Sequence, residues 1–329
     1  MDKIYTTEYT IAGIGELLWD ILPESRRVGG APANFAIHSG SLGAKAHIIS
    51  AVGNDRDGSD ILEALVEKTA DVRHIGRTPH PTGRVTVALD RQGHPSYTIK
   101  KNAAWDFIEL SRETELLAEK CDAVCFGSLA QRNPVSQKAI HSFLAQTSKD
   151  CLRVFDINLR QNFFSDSIIE RSLEAANVLK LNNEELIVLK RLLELPESDA
   201  AALRVLLDRY DLKYIACTQG SRGSIMMDRN ASVSSPGAIS AISDTIGAGD
   251  SFTAAMVMGI LQGWPLDTIN RMAEKVAAFV CSQPGATPEL PPHLLSEINN
   301  ALPLSSNEFP STTLIPSPPG ALQKELSAS

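Results

Sequence analysis

A glycine-containing segment near the carboxyl end carries the residue types best suited to chemistry in this 329-residue chain. It reads Asp244-Thr-Ile-Gly-Ala-Gly-Asp250, and an apolar helical stripe begins directly after it at Phe252. Glycines at a helix start leave backbone N–H groups free to face an anion, which the helix dipole also favours. Asp250 stands in that first turn, where a carboxylate suits a base that takes a proton close to a phosphate. The simpler interpretation is an aspartate that only complements the dipole.

Three other polar segments follow apolar runs. Asn182-Asn-Glu-Glu185 places an amide and a carboxylate three residues apart at a helix start, a spacing that also predicts a reciprocal capping box. Thr218-Gln-Gly-Ser-Arg-Gly223 predicts a glycine turn, which either lets backbone approach a nucleotide or simply joins two strands. Asp156-Ile-Asn-Leu-Arg160 places an arginine just beyond another run, where the simpler interpretation is a solvated ion pair.

The elements that position these residues alternate between strands and helices. The predicted strands are Tyr9–Gly15, Ala46–Val52, Ala123–Gly127, Arg153–Ile157, Val178–Leu181 and Lys213–Thr218. The predicted amphipathic helices include Asp60–Lys68, Val135–Gln146, Asn183–Leu193 and Ala200–Tyr210. This alternation predicts an α/β fold with a doubly wound, mostly parallel sheet that binds ligands at the carboxyl ends of its strands.

One region departs from this alternation. Residues 82–90 and 95–100 read as a β-hairpin, and a second hairpin is predicted around residues 16–28. Together they predict a small β-sheet lid formed by segments of about 16–30 and 82–103, or else an edge extension without a function. Residues 303–329 are rich in Pro, Ser and Thr, and we expect them to form a mobile tail.

Composition excludes several classes of protein. A formal net charge of −8 disfavours a nucleic-acid partner or an anionic membrane surface. Five cysteines without a C-x-x-C pair predict buried thiols in a reducing compartment. No secretory signal or membrane-length apolar run is evident, so we expect a cytoplasmic protein. A P-loop is absent, and Leu18 replaces the third glycine of a dinucleotide motif that begins at Gly13-Ile-Gly15, which disfavours an oxidoreductase.

Two glycine-rich segments together resemble the signatures of the ribokinase-like (PfkB) family of carbohydrate kinases. Residues 244–250 are similar to its carboxyl-terminal signature. Gly29-Gly-Ala-Pro-Ala-Asn34, continued to Gly53-Asn-Asp-Arg-Asp-Gly58, is similar to its amino-terminal signature. The resemblance extends from about Ile11 to Leu302 and implies one kinase domain over residues 1–302, which phosphorylates a small-molecule sugar with ATP and Mg²⁺.

The resemblance assigns roles around the transferred phosphoryl group. It implies that Asp250 is the general base, ionised at neutral pH with an ordinary pKa of about 3.9. It implies that the backbone N–H groups of Gly247, Ala248 and Gly249 form an anion hole. Asn182 and Glu185 would orient waters around Mg²⁺, and the nucleotide loop would comprise Thr218, Gly220 and Gly223.

The resemblance also implies sugar and cation sites. The residues implied at the sugar are Asp20, Gly29, Gly30 and Asn34, joined by Arg160, Gln131 and Arg132 at strand ends and by Arg84, Tyr97 and Ile99 in the lid. The ligands implied for a K⁺ ion are Asp244 and the backbone carbonyls of Ile246, Val280, Gln283 and Gly285. A homodimer that forms through the lid is a further expectation.

The wording of these segments is most similar to the fructokinase branch, which implies phosphorylation of D-fructose at its 6-hydroxyl. Ribose, 2-keto-3-deoxygluconate and nucleosides are the alternative substrates, although Leu18 stands where ribose-specific members carry a polar residue. A sugar- or nucleotide-binding regulator without catalysis is an alternative from another class. Loss of Asp250 or of an anion-hole glycine would indicate it, and all are present.

Overall fold

The computed structural model describes residues 8–22, 25–68, 70–89, 95–237 and 243–301. A nine-stranded sheet forms its centre. In order across this sheet the strands are β13 (Ser232–Ser235), β12 (Ser224–Asp228), β11 (Tyr214–Thr218), β10 (Val178–Asn182), β9 (Leu152–Asp156), β8 (Ala123–Phe126), β1 (Thr10–Ile14), β4 (Lys45–Gly53) and β5 (Ile75–Thr78). Pairing is parallel from β5 to β11 and antiparallel for the last two pairs. The predicted α/β class is confirmed.

Helices cover both faces of this sheet because the parallel strands are apolar on both sides. Val124 and Cys125, neighbours in β8, belong to opposite cores. One face carries α1 (Ala31–Ser41), α2 (Arg56–Val66), α8 (Ala248–Leu261), α9 (Leu266–Cys281) and α10 (Pro292–Asn299). The other carries α3 (Arg112–Ala118), α4 (Pro134–Gln146), α5 (Asp166–Ala175), α6 (Asn183–Leu192) and α7 (Asp199–Arg209).

A second, four-stranded sheet is formed by the predicted lid segments. Its strands are β3 (Arg26–Gly29), β2 (Leu18–Ile21), β6 (Gly83–Leu89) and β7 (Pro95–Ile99), in that order across the sheet. Both predicted hairpins are present, and they join through parallel pairing of β2 with β6. The turn at residues 90–94, the side chain of Tyr97 and the tail at 303–329 lie outside the described residues.

Helix α8 brings the glycine segment to the sheet. It is apolar all round, and nine of its residues, from Ser251 to Gly259, are buried. It packs between α1 and α9, so its amino terminus is fixed beside the carboxyl ends of the strands. Within the described part of the chain, no helix is long and apolar enough to cross a membrane. All five cysteines are free thiols.

Candidate active site

The amino terminus of α8 depends on two glycines. Gly247 caps the helix in the left-handed region with a φ of 80°, and a Cβ there would lie 2.2 Å from the carbonyl oxygen of Ala286. A Cβ on Gly249 would lie 2.8 Å from Nζ of Lys180. Gly247 therefore requires glycine, whereas a Cβ on Gly249 would displace the Lys180 ammonium. The N–H of Ala248 makes only a long, 3.4 Å bond to the carbonyl of Thr245, and the helix start favours an anion.

Asp250 meets the amino-terminal signature directly. The amide of Asn34, in α1, donates a hydrogen bond of 2.8 Å to its Oδ2. Burial, reinforced by the neighbouring Asp156, raises the pKa of Asp250 to about 7, while Asn34, Lys180 and Arg160 oppose the rise. The expected ordinary pKa is therefore wrong. Asp250 is a stronger base than a free aspartate and is only partly ionised near pH 7.

A buried charge network lies beneath this carboxylate, and sequence reasoning missed it. Nζ of Lys180, in β10, is 3.1 Å from Oδ1 of Asp156, whose Oδ2 accepts a 2.9 Å bond from the hydroxyl of Thr253. Burial alone would lower the pKa of Lys180, but the carboxylates of Asp156, Glu185 and Asp250 outweigh it, so the pKa is raised. A lysine in the middle of an apolar strand was the available signal, because lysine is seldom fully buried without a partner.

The predicted sugar residues of the lid lie close together. Burial raises the pKa of Asp20 to about 6, with Asp244 adding to the rise and Arg160 and Arg27 opposing it. A Cβ on Gly29 would lie 2.2 Å from Oδ2 of Asp20, so glycine makes room for this carboxylate. Gly30 caps α1 with a φ of 115°, and a Cβ there would lie 2.2 Å from the carbonyl oxygen of Glu16.

Glu16 is a buried carboxyl that sequence reasoning also missed. Its side chain accepts a backbone hydrogen bond from Ala31 at the start of α1, and Oε2 has no partner among the described residues. Burial raises its pKa, and Arg160 and Arg132 lower it. Its position after Gly15, at the end of β1, was the available signal.

Arg160 lies on a loop of unusual backbone. Asn158 and Gln161 flank it with φ values of 48° and 49°, a conformation that costs energy and often accompanies a functional site. The guanidinium is exposed, and its charge lowers the pKa of Asp20 and of Asp250. The charge of Arg160 therefore acts on both predicted functional carboxylates.

The structure corrects one predicted substrate contact, that of Gln131. Its Nε2 donates to the carbonyl of Gly127 and to Ser172, and its Oε1 contacts His141 at 3.0 Å, so its amide is held inside the fold. Its neighbour Arg132 lines a cavity of about 350 Å³, where it forms two 2.8 Å bonds with Asp106. The Arg132 guanidinium lies over the rings of Trp105 and Phe163.

The two segments predicted at the nucleotide, residues 182–185 and 218–223, form a helix capping box and a strand-to-strand turn. Asn182 and Glu185 form the reciprocal capping box, and Oε1 of Glu185 also accepts a bond from the N–H of Leu159. The turn after Thr218 joins β11 to the antiparallel β12, with φ of 60° at Gly220 and 91° at Gly223. Each arrangement still places its polar groups at a carboxyl strand end.

Two of the predicted cation ligands, Ile246 and Gly285, contact the Asp244 carboxylate. Its Oδ1 accepts the N–H of Ile246 at 3.0 Å, and its Oδ2 accepts the N–H of Gly285 at 3.2 Å. Arg27, from lid strand β3, also donates to Oδ2 at 3.1 Å. The carbonyl of Val280 accepts the N–H of the following Gln283. The guanidinium of Arg27 therefore lies beside Asp244, where the sequence predicted only a K⁺ ion.

Comparison with known proteins agrees with this geometry. The model of the pfkB family of carbohydrate kinases matches residues 23–292. An uncharacterized sugar kinase of Pyrococcus horikoshii is 30% identical over 297 residues, which cover 84% of this chain and 91% of that protein. The chain belongs to the pfkB family of carbohydrate kinases and is an enzyme of that class.

Further relatives agree with this family and supply ligand-bound structures. A fructokinase of Salmonella typhimurium is 28% identical over 297 residues, covering 84% of this chain and 95% of that protein. The Pyrococcus kinase in complex with ATP superimposes with a TM-score of 0.74 at 27% identity over 89% of this chain and all of that one. A fructokinase double mutant of Vibrio cholerae with fructose, ADP and potassium ion has a TM-score of 0.72 at 23% identity, covering 88% and 98%.

Proposed function

We propose that this sugar kinase transfers the γ-phosphoryl group of ATP to the 6-hydroxyl of D-fructose, with Asp250 as general base. The observation that carries the proposal is the 2.8 Å hydrogen bond from Asn34 to Asp250 at the amino terminus of α8. It joins a predicted sugar residue to the predicted base, beside backbone N–H groups able to hold an anion. The Salmonella fructokinase supports fructose as the substrate, while ribose, 2-keto-3-deoxygluconate and nucleosides are the alternatives.

In this mechanism Asp250 takes the proton of the sugar hydroxyl while the hydroxyl oxygen attacks the γ-phosphorus. The bond from that phosphorus to the bridging oxygen breaks, and ADP leaves with the electron pair. The N–H groups of Gly247, Ala248 and Gly249 stabilise the charge on the transferring oxygens, and one such donor typically lowers the barrier by about 2.7–4 kcal/mol. Asp20 and Arg160 hold the sugar, and hydrogen bonding by Asn34 keeps Asp250 oriented.

Glu185 and Asn182 are the residues proposed to hold Mg²⁺ through water. Both carboxylate oxygens of Glu185 already accept a backbone N–H, and each keeps a second lone pair for an ordered water, so the donors fit indirect binding. When bound, Mg²⁺ neutralises charge on the ATP phosphates. Thr218, Gly220 and Gly223 are proposed to contact the nucleotide.

The proposed K⁺ site has a competing internal cation. Asp244, Ile246, Val280, Gln283 and Gly285 remain the proposed ligand set, supported by the potassium ion of the Vibrio enzyme. A K⁺ ion at Oδ2 of Asp244 would compete with the Arg27 guanidinium, which donates to that oxygen. We expect Arg27→Gln to raise the activation of the kinase by K⁺ at least several-fold over wild type, measured by KCl titration against choline chloride. Equal activation in both proteins would contradict this competition.

The lid also supports the proposed homodimer, since β3 and β7 form the outer strands of the four-stranded sheet. Light scattering at several protein concentrations tests it, and a monomer at all of them would exclude it.

A coupled ADP-release assay tests the substrate. Wild-type enzyme is measured with fructose, ribose, 2-keto-3-deoxygluconate, tagatose and adenosine under identical Mg·ATP conditions. We expect kcat/KM for fructose to exceed the others by at least tenfold, because a substrate that leaves buried polar groups of a hydroxyl-binding site unpaired loses transition-state binding. Comparable values for all five would defeat the fructose assignment while leaving the kinase assignment intact.

A further inference from the structure

Three side chains able to bind a metal ion meet at the far edge of the large sheet. His47 lies near the start of β4, Asp71 forms an isolated parallel bridge with it, and His74 immediately precedes β5. Each offers one ligand atom, and these atoms all lie within 4.8 Å of one another. Nδ1 of His47 is 3.3 Å from a carboxylate oxygen of Asp71, and the two imidazole rings meet edge to face at 5.2 Å.

The imidazole of His47 is buried without hydrogen-bond partners within the described residues. Its side chain is 3% exposed, and neither ring nitrogen makes a hydrogen bond within the described part of the chain. Buried polar atoms in folded proteins are almost always bonded, so an imidazole with two unsatisfied nitrogens calls for a ligand.

The surroundings complete the requirements of a metal site. Arg73 holds the Asp71 carboxylate in place, since its Nε donates to both oxygens at 3.0 Å and its Nη2 donates to Oδ2 at 2.6 Å. The hydroxyl of Thr114 contacts Nδ1 of His74 at 3.1 Å, which orients the ring and leaves Nε2 for an ion. The Asp71 side chain is 18% exposed and provides a path for the ion and for a water as fourth ligand.

We propose that His47, Asp71 and His74 bind a divalent transition ion of the Zn²⁺ type at a site separate from phosphoryl transfer. Two imidazoles and one carboxylate form a ligand set typical of zinc, whereas Mg²⁺ and Ca²⁺ prefer oxygen ligands alone. Small rotations of the side chains bring the donors to the separation of about 3.3 Å that tetrahedral Zn²⁺ requires.

The site is distant from the proposed kinase chemistry. His47 precedes Gly53, at the carboxyl end of β4, by six residues, or about 20 Å of extended strand. The ion would bind the start of β4, the following 71–74 segment and, through Thr114, helix α3 together. Its role would therefore be to stabilise this edge of the sheet, because an ion that binds only the folded state shifts the unfolding equilibrium.

Calorimetric titration of the chelator-treated full chain with ZnCl₂, without nucleotide, tests this proposal. We expect one ion per chain, a raised Tm with Zn²⁺, and the visible absorption of tetrahedral Co²⁺ when CoCl₂ replaces zinc. Asp71→Asn and His74→Gln should each weaken zinc binding at least tenfold. His293→Gln, which removes an exposed histidine elsewhere, should leave it unchanged.

Kinase activity with Mg·ATP should remain at the wild-type level in Asp71→Asn, which also shows that this variant folds. Absence of zinc binding by wild type would overturn the proposal. Wild-type affinity in both Asp71→Asn and His74→Gln would overturn it equally.

Discussion

At the level of single residues, the site depends on carboxyl groups whose pKa values are raised. Asp250, Asp20 and Glu16 all have raised pKa values because each is removed from water. A raised pKa makes Asp250 a better proton acceptor once it is ionised, and it moves the titration of the base into the physiological range. The motif predicted Asp250 as the base but did not predict the rise of its pKa.

The pKa of Asp250 predicts the pH dependence of catalysis. The free base must be ionised to act, so kcat/KM should fall about tenfold per pH unit below about pH 7 and level off above it. Initial rates between pH 5.5 and 8.5 measure this. The titration of Asp20, whose pKa is raised to about 6, could cause a similar fall in kcat/KM. Asp20→Asn removes that titration and is therefore the control. A kcat/KM that is constant across this range would contradict the assignment.

Lys180 should be important for stability as well as for the base. Lys180→Met leaves Asp156 and its neighbouring carboxylates without their buried cation, and such a loss typically costs about 3–5 kcal/mol. We expect a clear drop in the free energy of unfolding, measured with urea, and a shift of the acid limb of the pH profile to higher pH. The double variant Lys180→Met with Asp156→Asn should recover part of the stability. No recovery would mean that packing, and not charge, accounts for the loss.

At the level of elements, the lid brings two strands to the active site. β2 contributes Asp20, and β3 contributes Arg27, which bonds to Asp244 in the loop before α8. The hairpins were predictable because alternating residues and turn residues are local signals. The Arg27–Asp244 pair was not, since its partners are 217 residues apart and belong to different layers of the fold.

Gly29 tests how closely the lid fits Asp20. Gly29→Ala places a Cβ only 2.2 Å from Oδ2 of Asp20, so the carboxylate must move. We expect KM for the sugar to rise at least tenfold with little change in KM for ATP, measured by initial-rate kinetics.

Gly76→Ala is the matched control for this substitution, because a Cβ on Gly76 in β5 has no atom closer than 3.8 Å. The prediction for Gly29 fails if both variants keep the wild-type KM for the sugar.

At the level of the whole molecule, the sequence predicted the order of strands and helices more completely than the site. Buried parallel strands are continuous apolar runs, so β1, β4, β8, β9, β10 and β11 were all found. Lys180 and Glu16 each left a signal in their position along a strand, but their partners are set by the assembled fold. The pairing of Arg27 with Asp244 left no such signal, because it joins distant parts of the chain. For Gln131 the sequence predicted a substrate contact that the structure does not have. Its position at a strand end was correct, but its side chain bonds to Ser172 inside the fold.

Phosphoryl transfer by Asp250→Asn tests the central claim most directly. Single-turnover formation of ADP with fructose should fall by about 10²–10⁴-fold relative to wild type, because the base is lost. Calorimetry should show that the folded variant still binds both fructose and ATP, since Asn34, Asp20 and the backbone N–H groups remain. Transfer near the wild-type rate in this variant would contradict the account and remove Asp250 as the base.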